Sequence, residues 1–255
     1  MLNETYKRLL IVWDYKFNVL TQMVLVAIVF IGAGFLLGNG QFNPEQMTTI
    51  FIGYVVWLYA RVVIPSISTD LAGEAQAGTL EQMYMSPVPA EFLLLGRIFA
   101  MLITSTLMVF LTGLGLALIL HIRVPLRWES IPVLLLTLVG LFGFTLILGG
   151  ATLVFKQTEA LADLIQNMLM FLTGSLLPID HFPSWLALLA RTLPITQGID
   201  VLRRIMQHGE SLASVWNDQS LVWLIVHSGI YLCVGWAVFK WCEKIAKRQG
   251  TLSQY

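Results

Sequence analysis

Long apolar runs alternate with short polar intervals along this chain, and most of the runs approach the length that crosses a bilayer. An α-helix needs about 20 consecutive apolar residues to span the hydrocarbon core of a membrane. The fifth run is shorter than the others. We expect an all-α membrane protein in which one transmembrane domain fills residues 1–255. The runs predict six membrane-spanning helices, at about residues 19–38, 47–67, 98–120, 131–155, 164–177 and 221–241.

Two further segments are amphipathic instead of continuously apolar. Residues 1–18 mix lysine, arginine and aspartate with leucine and tryptophan, which is typical of a helix lying in the membrane interface. Residues 178–219 contain two apolar stretches, at 185–193 and 198–207, and each is too short to span a membrane. These stretches predict short external or re-entrant helices, because non-spanning backbone is tolerated at membrane depth only where protein or a wet cavity covers it.

The only long polar interval in the first half of the chain with several acids and two close prolines is residues 74–97, EAQAGTLEQMYMSPVPAEFLLLGR. Pro87 and Pro89 predict a turn between two short helices. Such a helix–turn–helix would present methionines, including Met85, whose flexible side chains adapt well to the groove of a partner protein. The simpler alternative is a solvated connector between two membrane helices.

Composition agrees with a membrane protein. A soluble domain is typically about 25% charged and about 45–50% apolar. This chain is 12% charged and 57% hydrophobic, with a mean hydropathy of +0.77. Its formal net charge is zero, so it has no basic field for nucleic acid. Cys233 and Cys242 fall in or beside the last apolar run, where they are best interpreted as two small apolar side chains.

The distribution of lysine and arginine favours one orientation in the membrane. Six spans place both termini on the same side, and cytoplasmic segments carry an excess of these residues. With cytoplasmic termini, residues 74–97 face the cytoplasm and residues 178–219 face outward. The inner segments then hold nine cations, Lys7, Arg8, Lys16, Arg97, Lys156, Lys240, Lys244, Lys247 and Arg248. The outer segments hold five, Arg123, Arg127, Arg191, Arg203 and Arg204.

The sequence lacks the motifs of several chemistries. No G-x-x-x-x-G-K-[S/T] nucleotide-binding loop and no H-E-x-x-H zinc motif occurs, and the four histidines are scattered without metal-ligand spacing. We therefore expect this chain to have no catalytic site and to bind neither a metal nor a cofactor. An ATP-driven motor, if there is one, must belong to another subunit.

Polar residues within the predicted spans are candidates for a pathway. Arg61 is the one clear charge inside a span, and it either contacts an anionic head group or a neighbouring acidic side chain, or extends its guanidinium to the interface. Asp163, Gln166 and Asn167 share one helix face, at positions i, i+3 and i+4. They either line a path near the inner mouth or cap the start of a helix.

Two motifs resemble a known family of membrane proteins. The first is Glu74-x-x-x-Gly78-Thr79-Leu80-Glu81, followed by Ser86-Pro87 and Gly96-Arg97. The second is Pro178-Ile179-Asp180-His181-Phe182-Pro183-Ser184-Trp185, followed by Leu193-Pro194 and Asp200-x-x-Arg203. With six spans and an interfacial N-terminus, they resemble type 2 ATP-binding-cassette (ABC) permeases, above all the drug-resistance branch typified by daunorubicin-type exporters, with the nodulation-factor branch nearby.

The resemblance implies partners and residue roles. Two permease chains would pair, here as an expected homodimer in a bacterial-type inner membrane, and each would dock a separate ABC ATPase that holds ATP and Mg²⁺. A second set of residues would form an external gate, namely Pro178, Phe182, Pro183, Trp185 and Pro194. The residues expected to dock the ATPase are Glu74, Gly78, Thr79, Glu81, Met85, Ser86 and Pro87.

Three functions remain open from the sequence. The resemblance favours the permease subunit of an ATP-driven exporter for a lipophilic or amphipathic molecule such as a drug, a lipid or a glycolipid. The alternatives are a membrane scaffold or assembly factor that transports nothing, and a secondary transporter coupled to an ion gradient. A secondary transporter needs charged relays near the membrane midplane, and Arg61 alone is a poor candidate for one.

Overall fold

The computed structural model describes Tyr6, Leu10, Asp14 and residues 16–79, 90–122, 124–155 and 158–249, with the side chains of residues 90–95 and 194 excepted. Most of the predicted interfacial helix lies outside these residues. The regular structure of the described ranges is helical, which confirms the all-α prediction. In chain order the nine α-helices of these ranges are α1 (Lys16–Leu37), α2 (Pro44–Gln76), α3 (Ala90–Ile119), α4 (Ser130–Phe155), α5 (Glu159–Leu172), α6 (Ser184–Arg191), α7 (Pro194–Gln207), α8 (Leu212–Asn217) and α9 (Ser220–Gln249).

Five of these helices, α1, α2, α3, α4 and α9, are long and apolar enough to cross a membrane. They correspond to five of the six predicted spans. The fifth predicted span, residues 164–177, overlaps α5, which lies five residues earlier in the chain and, with 14 residues and a length of about 21 Å, is shorter than the other five. The polar interval between the fourth and fifth predicted spans is shorter than the sequence indicated, since Glu159 and Asp163 both lie inside α5.

The long helix α2 forms the centre of the bundle. In its most apolar window 72% of the residues are buried, against 56% for α4, 28% for α3 and 17% each for α1 and α9. Asn43 caps its start by accepting a hydrogen bond from the backbone N–H of Glu45 at 3.1 Å, and Pro44 occupies the first helical position. With 33 residues, α2 is about 50 Å long, so it extends well beyond the hydrocarbon core.

Glycines allow α4 and α9 to pack with their backbones in contact. A Cβ atom added to Gly143 would lie 2.2 Å from the carbonyl of Tyr231, and one added to Gly235 would lie 2.0 Å from the carbonyl oxygen of Gly143. Small residues promote such close approach of membrane helices. The position of the last long helix in the bundle therefore depends on glycine at both sites.

The loops gather at two ends of the bundle. We call the end formed by residues 38–49, 120–122, 124–130 and 173–220 the polar end. We call the other end the opposite end; there α2 finishes, α3 begins and α9 finishes. The polar interval 74–97 is shorter in the structure than in the sequence prediction, because Glu74–Gln76 completes α2 and α3 begins at Ala90.

Candidate functional site

A cavity of about 680 Å³ opens at the polar end, between the start of α2, the turn after α5 and the helices α6 and α7. Its wall carries charges of both signs together with hydroxyl and amide groups. The charged residues of the wall are Glu45, Asp180, Asp200, Arg191, Arg203 and Arg204.

Arg203 joins three segments behind this wall. Its side chain is buried, with 9% relative exposure. The Nε atom donates to the carbonyl oxygen of Thr49 in α2 at 3.1 Å, and Nη2 donates to the carbonyl oxygens of Gly174 and Ser175 at 2.7 and 3.2 Å. Gly174 and Ser175 lie in the turn that follows α5, so their carbonyl groups are not part of a helix, and the buried guanidinium supplies them with a hydrogen-bond donor.

The environment of Arg203 favours this role without removing its charge. Burial lowers the pKa of Arg203 to about 10, and the carboxylates of Asp200 and Asp180 oppose that shift. The guanidinium therefore stays charged at neutral pH. Burial also raises the pKa of Asp200, although the guanidinium groups of Arg204 and Arg203 act against the rise.

A glycine in α2 makes room for the Arg203 contacts. A Cβ atom added to Gly53 would lie 2.4 Å from the carbonyl oxygen of Ser175 and 2.6 Å from Nη2 of Arg203. The Ser175 carbonyl belongs to the backbone and has little freedom to move away. Glycine at position 53 is thus part of the geometry that brings α2, the turn after α5 and α7 together.

Arg204, the next residue of α7, holds the chain that leads into α9. Its guanidinium donates to both carboxylate oxygens of Glu210, from Nε to Oε1 at 3.1 Å and from Nη2 to Oε2 at 2.8 Å, to Asp218 at 2.6 Å and to the hydroxyl of Ser220 at 2.9 Å. Hydrogen bonds from Arg204 lower the pKa of Glu210 and of Asp218. The two neighbouring arginines therefore connect α7 to different segments: Arg203 to α2 and the turn after α5, and Arg204 to the chain between α7 and α9.

The predicted gate residues lie in this region, but only some of them face the cavity. Pro178 is part of the cavity wall and precedes a single 3₁₀ turn, Ile179–His181. Phe182 and Pro183 lead from that turn into α6, where Trp185 is 67% exposed. Pro194 is the first residue of α7.

Three of the predicted docking residues, Glu74, Gly78 and Thr79, lie at the opposite end. Glu74, in the last turn of α2, forms an ion pair with Arg97 in the first turns of α3. Gly78 follows in a left-handed conformation with φ of +69°, which glycine adopts without strain. The hydroxyl of Thr79 donates to the carbonyl oxygen of Glu74 at 3.2 Å, so these three residues end α2. The remaining docking residues, Glu81, Met85, Ser86 and Pro87, lie outside the described residues.

The other predicted polar group splits between buried and exposed positions on α5. Gln166 is buried and donates to Asp163 at 2.8 Å, while Asn167 donates to the backbone carbonyl of Asp163 at 2.8 Å. Asp163 and Asn167 are exposed. The capping interpretation is wrong, because α5 begins at Glu159 and places Asp163 more than one turn inside the helix.

Arg61 lies midway along α2 and is half-buried. Its guanidinium is 5.7 Å from the centre of the Trp57 ring, a distance that permits a cation–π contact. Within the described part of the chain it makes no hydrogen bond or ion pair, so the acidic neighbour that the sequence analysis considered is not found there. A second, small cavity lies beside it.

A sequence model described as ABC-2 family transporter protein matches residues 39–237, which is more than half of the chain. The chain belongs to the ABC-2 transporter family. This ABC-2 permease is therefore a multi-pass transmembrane subunit of a transporter, as the motif resemblance indicated. Members of this family associate with ABC ATPase subunits.

Curated relatives of this ABC-2 permease carry transport names. "Probable doxorubicin resistance ABC transporter permease protein DrrC" from Mycobacterium tuberculosis is 26% identical over 242 residues, which cover 90% of this chain and 85% of the relative. "Probable multidrug ABC transporter permease YbhR" from Escherichia coli strain K12 is 28% identical over 192 residues, which cover 72% of this chain and 50% of the relative.

The roles of Arg203 and Arg204 were missed by the sequence analysis, which counted both as outer cations and quoted Arg203 within a motif. A signal was present. Ile195, Ile199 and Leu202 mark the apolar face of α7 at helical spacing, and Arg203, four residues after Ile199, falls on that face. A cation on an apolar face predicts a buried partner, but the partner Thr49 is 154 positions away, and spacing alone does not reveal it.

Proposed function

We propose that this ABC-2 permease is the membrane subunit of an ATP-driven exporter that moves a lipophilic or amphipathic molecule outward. A separate ATPase would dock at residues 74–97 on the cytoplasmic side, with both termini of the permease on that side. The polar end, with its cavity and the helices α6 and α7, would then be the outer end of the pathway. A second, identical permease chain would complete the complex.

One observation carries this proposal: α2 connects the candidate docking region to the Arg203 contacts without a break. Glu74 and Gly78 finish the helix at one end, and the carbonyl of Thr49 accepts from Arg203 near the other. These positions are 25 residues apart, or about 38 Å of helix. A displacement of the docked loop would therefore move α2, which is hydrogen-bonded through Thr49 to α7 at the outer end of the pathway.

The mechanism needs two states of the polar end. ATP binding closes the partner ATPases, the docked loops follow, and α2 carries the displacement to Thr49. Nucleotide shifts the equilibrium only if it binds one state more tightly than the other. The Arg203 hydrogen bonds to α2 and to the turn after α5 are the contacts that such a shift would change.

The names of the relatives support an amphipathic drug as the test cargo. The purified permease and the ATPase that co-purifies with it are reconstituted into liposomes, and ATP-dependent efflux of doxorubicin is measured by fluorescence. We expect efflux that requires ATP and continues when an ionophore collapses the proton gradient. Efflux that stops with the gradient, at constant ATP, would indicate a secondary transporter instead. An ATPase that binds without any efflux of doxorubicin or a fluorescent phospholipid would favour the scaffold alternative.

The docking site is tested separately by co-purification. Deletion of residues 79–89, or the single change Met85→Glu, is expected to abolish capture of the ATPase while the permease still inserts in the membrane. Arg191→Gln, at the wall of the polar cavity, serves as the matched control and is expected to retain the ATPase. Full capture by the deletion variant would exclude these residues as the docking site.

A further inference from the structure

Arg61 is a cation within an apolar helix, and the described structure provides it with an aromatic ring but with no anion. Trp57 is fixed by its own hydrogen bond, from Nε1 to the backbone carbonyl of Gln166 at 2.8 Å, and its ring lies 5.7 Å from the guanidinium. A charged side chain in a spanning helix is costly and normally faces a partner or a wet cavity. The donors of the Arg61 guanidinium therefore remain available for an anionic ligand.

A cavity of about 140 Å³ adjoins this guanidinium, between α1, α2 and α3. Its wall is mostly apolar and contains three polar side chains, those of Gln22, Arg61 and Thr112. The volume is that of about five water molecules at about 30 Å³ each, whereas pockets for drug-sized molecules measure about 300–1,000 Å³. The cavity thus suits a small polar group and is too small to enclose an amphipathic cargo.

The position of the cavity along α1 matches the level of lipid head groups. Helices α1 and α2 run antiparallel, and the hydroxyl of Tyr54 donates to the carbonyl oxygen of Val26 at 2.7 Å. Val19 and Gln22 of α1 line the cavity, and the charged residue Lys16 lies only about 4.5 Å of helix rise before Val19. Arg61 therefore lies within about two helical turns of the polar boundary of the bundle.

We propose that Arg61 and this cavity bind the phosphate group of an anionic phospholipid from the leaflet on the Lys16 side. Guanidinium donates two parallel hydrogen bonds to phosphate oxygens, a geometry that a single ammonium group does not reproduce. The amide of Gln22, now bonded to Asn18 at 2.8 Å, lies in the same wall and supplies a further donor. The acyl chains of the lipid lie on the exposed apolar surfaces of α1 and α3.

The proposal is tested by native mass spectrometry of the full-length permease in detergent, titrated with dioleoylphosphatidylglycerol. Arg61→Gln is expected to weaken the tightest binding step by about tenfold or more, the effect of losing a charged hydrogen-bonding partner. Arg61→Lys is expected to fall between wild type and Arg61→Gln. Lys244→Gln removes an exposed cation of α9 and serves as the matched control, with a change below about twofold expected, because an exposed charge contributes little.

A second variant tests the cavity without changing the charge. Thr112→Phe fills the cavity and is expected to weaken binding as much as Arg61→Gln does, with a melting temperature near that of wild type because Thr112 is only half-buried. Dioleoylglycerol, which lacks the phosphate, is expected not to occupy the site. Inorganic phosphate at millimolar concentration is expected not to displace the lipid.

Several results would overturn the proposal. Unchanged lipid affinity in Arg61→Gln or in Thr112→Phe would exclude this site. An equal loss of affinity in Lys244→Gln would show that the lipid responds to surface charge in general and not to Arg61. Binding of dioleoylglycerol with the affinity of the phospholipid would exclude recognition of the phosphate. Complete displacement by inorganic phosphate would make free phosphate the ligand. Lipid binding is measured without transport, so its failure leaves the exporter function untouched.

Discussion

At the polar end, Arg203 joins segments that are far apart in the chain, whereas the ion pairs of the opposite end connect adjacent helices or adjacent turns. Arg203 reaches from α7 to the carbonyl of Thr49, 154 positions earlier. At the opposite end, Arg97 joins α3 to the preceding helix α2, and Glu243 binds Lys240 and Lys247 of its own helix at 3.1 and 2.7 Å.

The two ends differ in what fixes their structure: contacts within this chain at the polar end, and a proposed partner protein at the opposite end. The polar end satisfies backbone carbonyl groups with one buried cation, Arg203, so its geometry is specified by the chain itself. At the opposite end α2 finishes and α3 begins, and the interval 74–97 is the one proposed to bind another protein. We therefore expect substitutions at the polar end to change stability first, and substitutions at the opposite end to change coupling first.

The largest effect is expected from Arg203→Met. The substitution keeps an unbranched side chain but shortens it, and it removes the guanidinium that donates to the carbonyls of Thr49, Gly174 and Ser175. A buried polar group without a partner costs about 1–3 kcal/mol, so we expect a loss of about 2–4 kcal/mol in the free energy of unfolding together with loss of transport. Chemical unfolding of the purified permease measures the first and efflux the second.

The matched control is Arg191→Met on the exposed part of the same cavity wall. It is expected to change stability by less than about 0.5 kcal/mol, as surface substitutions usually do. Equal stability of the Arg203→Met and Arg191→Met variants would contradict a structural role for the Arg203 hydrogen bonds.

Two glycines of α2, one near each end of the bundle, allow the stability effect of the same substitution to be compared within one helix. Gly53→Ala places a methyl group 2.4 Å from the Ser175 carbonyl oxygen, and we expect a loss of about 1–3 kcal/mol from overpacking. Gly73→Ala meets no atom within 4 Å and is expected to stabilise the helix by about 0.5–1 kcal/mol. Thermal unfolding of both variants measures the difference, and equal melting temperatures would contradict the close approach at Gly53.

Much of the fold was predictable because the length of an apolar run reflects the thickness of the hydrocarbon core that it crosses. Hydropathy located five long helices and the two short apolar stretches near α6 and α7. It also placed Glu74 in a loop, although α2 continues to Gln76, because a helix does not stop where the hydrocarbon ends. The predicted spans also left Glu159 and Asp163 outside a helix, although both lie inside α5. Acidic residues are favourable near the positive end of a helix, so they are poor markers of a loop.

The contacts of the polar end were not predictable in the same way. Every residue has a backbone carbonyl, so the residue type of an acceptor does not indicate that its carbonyl accepts from a side chain. Thr49 and Ser175 both accept from Arg203 in this way. Gly53 gave no signal either, since glycine is common in membrane helices. The motif containing Asp200 and Arg203 identified the correct region, and only the structure showed which segments it joins.

A smaller effect on stability is expected when pH changes the charge of Glu210 and Asp218, the two carboxylates bonded to Arg204. Hydrogen bonds from Arg204 lower the pKa of Glu210 and Asp218, so their contribution to stability is present above the ordinary pKa of a carboxyl group and is lost as pH falls through the lowered values. The pKa of Asp200 is raised, so its protonation comes first on acidification and relieves the cost of burying its charge.

These opposite signs predict the order of events as pH falls. Wild type is expected to hold or gain slightly in melting temperature while Asp200 takes up its proton, and then to lose stability when Glu210 and Asp218 are protonated. The double variant Glu210→Gln, Asp218→Asn is expected to lack the second phase, and Asp200→Asn the first. Superimposable pH profiles for all three proteins would contradict the assignment.

The smallest change in stability is expected at the opposite end, from Glu74→Gln and Arg97→Gln. The ion pair is partly exposed, with side-chain exposures of 25% for Glu74 and 17% for Arg97, and such pairs contribute about 0–1 kcal/mol. A double-mutant cycle on the free energy of unfolding is expected to give a coupling energy within that range. Because the pair joins the end of α2 to the start of α3, each single variant is nevertheless expected to lower the efflux driven by a given rate of ATP hydrolysis. Unchanged efflux per ATP in both variants would show that the motion does not pass through this pair.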